Sequence, residues 1–229
     1  MSLLGVSCAQ ALGAQDVAPS EPAKPVEAPA QPKDKRAFGV LPNYRTVNDS
    51  PNYTPISAKM KLHIALKDSF DYPGLILAAG FAGLYQLQDS DPSYGQGVEG
   101  YAKYAAASLS DQIIGTMLSE GVLPSVLHQD PRYFRRGASG GTNWARTRYA
   151  VTRIFVTRSD AGKSQVNYSE LLGTAGSVAI SNLYYPDTRA AHLNIEKLAI
   201  QLSTDAFGNV LKEFWPDVKQ HFSHHRDTP

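Results

Sequence analysis

The sequence predicts an all-α fold: a single bundle of five or six closely packed Gly/Ala-rich helices behind a disordered N-terminal tether. Three observations predict it. Apolar residues recur at helical spacing through residues 57–71, 98–122 and 193–214. Two further runs, 73–88 and 169–185, are rich in Gly, Ala and Ser, the composition that lets helix backbones approach closely. Residues 16–37 hold five prolines among alanines and balanced charges, and have too little apolar area to bury.

Residues 1–15 read as a partial signal peptide. Leu3, Leu4 and Val6 close an apolar stretch, and small residues around Cys8 and Gly13 offer cleavage positions. This predicts export to the periplasm or cell envelope. Cys8 is the chain's single cysteine, so a trimmed chain would hold no thiol for a disulfide or metal.

The helical domain is expected over 38–218. Residues 37–57 are irregular, with Pro42, Pro51 and Pro55 among aromatic residues. Thr54 or Ser57 would cap a first helix over 57–71 carrying Met60, Ile64 and Leu66. Pro73 opens the second helix, which ends near Gln88. After the loop DSDPSYGQG comes a long helix over 98–122, ended or bent by Pro124. Tyr101, Ala105, Leu109, Ile113, Thr116 and Glu120 share one general face at helical periodicity, with Ser108 and Asp111 off that face.

Residues 143–157 carry two patterns. Trp144, Val151, Ile154 and Phe155 suit a helix, which is the favoured reading, whereas RIFVTR followed by SDAG suits a hairpin with 164–168. A small-residue helix starts at Ser169 and stops before Pro186. The last helix, 193–214, shows Ile195, Leu198, Leu202, Ala206 and Val210, with Pro216 ending or kinking it. A polar tail covers 219–229.

Charge is unevenly placed. Residues 68–130 carry eight acids and one lysine, while 131–159 carry seven arginines, no lysine and no acid, in a chain of net charge +1. The near-neutral total argues against a general nucleic-acid binder. Arginine suits bidentate pairing with carboxylate or phosphate. Within HQDPRYFRRG, Asp130 and Pro131 resemble a helix start, which would put Arg132, Arg135 and Arg136 on one side. Together with Arg146 and Arg148 they form the candidate anion-binding set, directed at an anionic lipid or an acidic envelope protein. The bland alternative has these arginines neutralising Asp111, Glu120 or other acids of 68–130.

No catalytic signature stands out. There is no GxSxG, no SxxK and no HExxH, and GASGG at 137–141 lacks the lysine of a phosphate loop. No cofactor or metal site is expected; His221, His224 and His225 cluster without partner ligands. Among Asp111, Glu120, Glu170 and Asp205, a pair could serve as acid and base in hydrolysis of an envelope polymer.

The segments LPNYRTV (41–47), LHQDPRYFRRG (127–137), NYSELLG (167–173), SNLYYPD (181–187) and LKEFWPDV (211–218) resemble an uncharacterised family of exported bacterial proteins. In some of these a similar region follows a carboxypeptidase-regulatory-like β domain; here the tether stands before the core. The resemblance covers most of 38–218 and implies export and a helical domain, with no established activity to transfer.

The expected role is a non-enzymatic cell-envelope protein, membrane association included, that binds negative charge through its arginines. The alternatives are an integral helical membrane protein with 73–88, 105–127 and 171–185 inserted, and the hydrolase just described.

Overall fold

The computed structural model describes residues 45–48 and 53–224, with side chains to Val218. The expected signal peptide (1–15), the tether (16–37) and the end of the tail lie outside the described residues. The fold is mostly helical, as the periodicity predicts, with two small sheets added.

Helix α1 (Ala58–Ser69) starts at Ser57, whose hydroxyl accepts the Met60 N–H at 3.3 Å. Asp71 caps α2 (Tyr72–Leu87), with Pro73 in its first turn. Along α2 the buried positions are Gly74, Ala78 and Ala82, one small residue per turn, and this stripe packs on α3 (Gly97–Thr116). A Cβ on Gly74 would lie 1.9 Å from the Gln112 amide, so the glycine leaves the space that this side chain of α3 fills.

Helix α3 runs without a break into a π-helical turn (Met117–Val122) and the short α4 (Leu123–Val126). Pro124 cannot donate to the carbonyl one turn earlier, and the widened turn absorbs that lost bond. The buried residues of α3 are Gly100, Tyr104, Ala107, Ser108 and Gly115. The face expected from the sequence is therefore wrong: Ser108 points in, and Tyr101 is exposed. The inward faces of α2 and α3 are made mostly of small or polar residues, with Tyr104 the large exception.

Two segments depart further from the helical expectation. Residues 131–136 form no helix. Instead β3 (Tyr133–Arg135) pairs in parallel with β1 (Thr46–Asn48). The 143–157 segment divides its two patterns. Thr142 caps α5 (Asn143–Thr152), and then β4 (Val156–Ser159) forms a hairpin with β5 (Ser164–Val166), flanked by β2 (Gln129–Asp130). The β-branched residues of 151–157 govern its second half.

Asn167 caps α6 (Tyr168–Ser181), accepting the Glu170 N–H at 3.2 Å. Its buried face is Ser169, Gly173, Thr174, Ser177, Val178 and Ser181. A Cβ on Gly173 would fall 2.7 Å from the Ser119 backbone, so α6 presses directly on the π turn. Helix α7 (Ala191–His224) is longer than expected and carries Pro216 inside it; it packs on α5 and α6.

Beside a buried apolar set that includes Tyr104, Tyr133, Phe134 and Tyr149, an unusual number of polar side chains lie inside and of large apolar ones outside. Lys61, Asp91, Gln129, Asp130 and Glu213 are among the largest fully buried side chains. Meanwhile Ile76 is 66% exposed, Trp144 71%, Leu183 79% and Leu87 87%.

Candidate functional site

The arginine segment meets negative charge inside its own chain. Arg132 grips Asp130 with a two-pronged contact, Nε to Oδ1 at 3.0 Å and Nη2 to Oδ2 at 2.6 Å. Tyr53 donates to the same carboxylate at 2.8 Å. Arg146 donates through Nε to Glu213 at 2.9 Å and through Nη2 to Asp217 at 2.6 Å. Arg135 pairs with Asp217 and also donates to the Glu213 carbonyl at 2.9 Å. Glu213, fully buried, collects three more donors: Tyr133 hydroxyl at 2.8 Å, Gly137 N–H at 2.9 Å and Arg136 N–H at 3.2 Å.

Of the five arginines singled out from the sequence, Arg132, Arg135 and Arg146 are thus engaged in ion pairs. The Arg136 guanidinium lies 4.0 Å from the Tyr149 ring centre, and the residue stays exposed. Arg148 is exposed and meets no carboxylate among the described residues. The expected internal partners need correcting. Only Asp130 comes from the acidic stretch 68–130; Glu213 and Asp217 come from α7, far along the chain. Electrostatic pairing followed the fold rather than the neighbouring segment.

The acids of 68–130 are matched elsewhere. Asp111 accepts hydrogen bonds from Tyr184 at 2.5 Å and Tyr185 at 3.0 Å. Burial pushes Asp111 above the usual carboxylate range, and burial lowers the nearby Lys197, which stacks on the Tyr185 ring. The tyrosines of NLYYPD therefore tie the end of α6 to α3.

Glu120 sits on the π turn, and one of its oxygens meets Arg45, which also holds Asp68. The other oxygen, Oε2, is buried without a hydrogen-bond partner. Burial raises the Glu120 carboxyl well above its ordinary value, with Arg45 opposing. Next to it, Glu170 and Asp205 approach each other as hydrogen-bonding partners. Burial first, then the Asp205 charge, pushes Glu170 up to about 8. Lys212 belongs to the same group and is lowered by burial and by Arg45. Four carboxylates thus face two cations at one largely buried centre.

That centre opens on a cavity with about 50 Å³ of room for water-sized occupants. Glu120, Glu170 and Arg45 line it, together with Arg153, Arg158 and Asn209. Gln129 fixes one wall, donating to the Val166 carbonyl at 2.7 Å and accepting from the Ser169 N–H at 2.8 Å and hydroxyl at 2.7 Å. Arg153 stacks 4.5 Å from the Tyr149 ring centre, and its Nε is buried without a partner.

Sequence reasoning found Glu120, Glu170 and Asp205 but grouped Asp111 with them, which the structure does not. It missed Arg45, Asp68, Lys212, Glu213 and Asp217. Arg45 carried one signal, as the lone cation of an irregular aromatic segment; Lys212 carried none. Among the described residues no group of three His, Cys, Asp or Glu side chains could hold a metal ion. No protein-family model matches the chain, and searches of curated proteins and of solved structures return no similar protein.

Proposed function

We propose that this chain is a non-enzymatic cell-envelope protein that rests on a membrane surface through outward apolar helix faces and folds its charges inward around a small polar cavity. The observation that supports this is the run of exposed apolar side chains on α2 and α6. Helix α2 carries no charged residue, and Tyr72, Ile76, Leu77, Leu84 and Leu87 are all exposed along it. Leu172, Ile180 and Leu183 continue the pattern on and just beyond α6. Exposed apolar patches beyond a few hundred Å² mark contact surfaces.

Contact with lipid would lie in the interface plane. At 16 residues α2 rises about 24 Å, short of a hydrocarbon core of about 30 Å. No described helix is long and apolar enough to cross a membrane. Because Arg132, Arg135 and Arg146 are engaged internally, the arginine contribution to an anionic surface falls to Arg136 and Arg148. Export, expected from the leader and from the family resemblance, is part of the same proposal.

Liposome flotation tests this. The apolar reading expects retention on neutral and anionic vesicles at both about 0.1 M and about 1 M salt, where the screening length shrinks from about 10 to 3 Å. Absence of flotation in every condition refutes membrane contact. Flotation only on anionic vesicles at low salt returns the role to the arginines.

The hydrolase reading keeps one supporting observation: Glu120 and Glu170 line one cavity and both titrate high. Against it, Glu170 is tied to Asp205 within the buried charge cluster. Release of soluble fragments from isolated cell-wall polymer, lost in Glu120→Gln, would favour it.

A further inference from the structure

The cavity beside the π turn holds two groups of opposite sign that the fold leaves partly unanswered. Glu120 is 9% exposed, and its Oε2 has no hydrogen-bond partner. Arg153 meets an aromatic ring rather than a carboxylate, and its Nε is orphaned. Buried polar groups are nearly always satisfied, so an orphan on a cavity wall marks a place where an occupant completes the bonding. Asn209 reaches the same cavity from α7 and brings a side-chain amide that can both donate and accept.

Glu213 is the opposite case. There, arginines, a tyrosine hydroxyl and backbone amides saturate one carboxylate. The cavity wall carries both signs, Glu120, Asp130 and Glu170 beside Arg45, Arg132, Arg153 and Arg158, and the unanswered Glu120 oxygen leaves room for a positive group. The guanidinium of Arg153 calls for a negative one. A space of about 50 Å³ holds roughly three or four water-sized groups, which suits a compact ligand and excludes a polymer.

We propose that this cavity takes a small zwitterion: its ammonium group is held by Glu120, its phosphate or carboxylate by Arg153, with Asn209 bonding between them. The source is either a free metabolite or the headgroup of an ethanolamine-type lipid, which share this chemistry. The site goes beyond the membrane reading and stands without it.

Isothermal titration of the full chain tests the site with O-phosphoethanolamine and glycine as zwitterions, and with ethanolamine and inorganic phosphate as half-probes. The expected result is binding of at least one zwitterion, at least tenfold tighter than either half-probe. Arg153→Gln should weaken that binding at least tenfold while leaving the melting temperature close to wild type. Glu120→Gln should do the same, and Arg153→Gln carries the test if Glu120→Gln does not fold. Dihexanoyl phosphatidylethanolamine separates the sources: tighter binding than O-phosphoethanolamine supports the site as a headgroup pocket, weaker binding supports it as a metabolite pocket. Failure of every zwitterion to bind overturns the proposal, as does inorganic phosphate binding equally well or Arg153→Gln binding unchanged.

Discussion

Glu213, fully buried, and Glu170, half-buried, both sit among arginines and other acids, yet their surroundings differ in kind. Glu213 receives donors from Arg146, Tyr133, Gly137 and Arg136. Glu170 has another acid, Asp205, as a side-chain partner and opens on a cavity. A saturated charge holds elements together, here α7 against β3 and α5. An under-compensated one stores a cost that a proton or a ligand relieves. The arginine-rich segment, which looked like a binding surface, is chiefly the means of saturating the first kind of site.

The largest effect is expected at the saturated centre. Glu213→Ala would leave the Tyr133 hydroxyl and part of Arg146 buried without acceptors and should cost about 3–5 kcal/mol in urea denaturation. A loss under about 1 kcal/mol would mean that the network contributes little beyond packing.

The next effect is a pH dependence. A carboxyl raised on folding binds its proton more tightly in the folded chain. Glu170 therefore lowers stability as pH climbs from its ordinary 4.5 to about 8, and no further above that. Wild type should lose stability across this window relative to Glu170→Gln, by up to a few kcal/mol at about 1.4 kcal/mol per unit. Denaturation at several pH values reads the difference; parallel profiles would remove the under-compensated centre from the account.

Arg132→Lys comes third. Lysine cannot reproduce the fork on Asp130 and the bond to the Thr54 carbonyl together, so a loss of about 1–2 kcal/mol is expected in thermal melting. The smallest effect belongs to Arg148→Gln. With an exposed side chain and no carboxylate partner, it should change stability by less than about 0.5 kcal/mol. A larger loss would reveal a role in packing.

The helical class and most helix boundaries were legible because Ser57, Asp71, Thr142 and Asn167 cap where their residue types suggest. The inward faces were misread. Periodicity analysis places the bulkiest apolar residues inside, and here Gly, Ala and Ser occupy the contacts between α2, α3 and α6 while Ile76, Leu84 and Leu172 face outward. The strand at Tyr133–Arg135 was hidden for another reason. Asp130-Pro131 does resemble a helix start, but the pairing with Thr46–Asn48 is non-local and leaves no trace in a short window. The ion pairs were illegible in detail because α7 supplies Glu213 and Asp217 from some 70 residues away in sequence.

The claim that joins these regions is that apolar faces point outward to meet lipid while the charges complete one another inside. A double variant of α2, Ile76→Gln with Leu84→Gln, tests it most directly by vesicle flotation alongside a thermal melt. Both side chains are exposed, so the melt should shift little, and the variant should lose most of its retention on neutral vesicles. Retention equal to wild type, with the fold intact, would contradict the account.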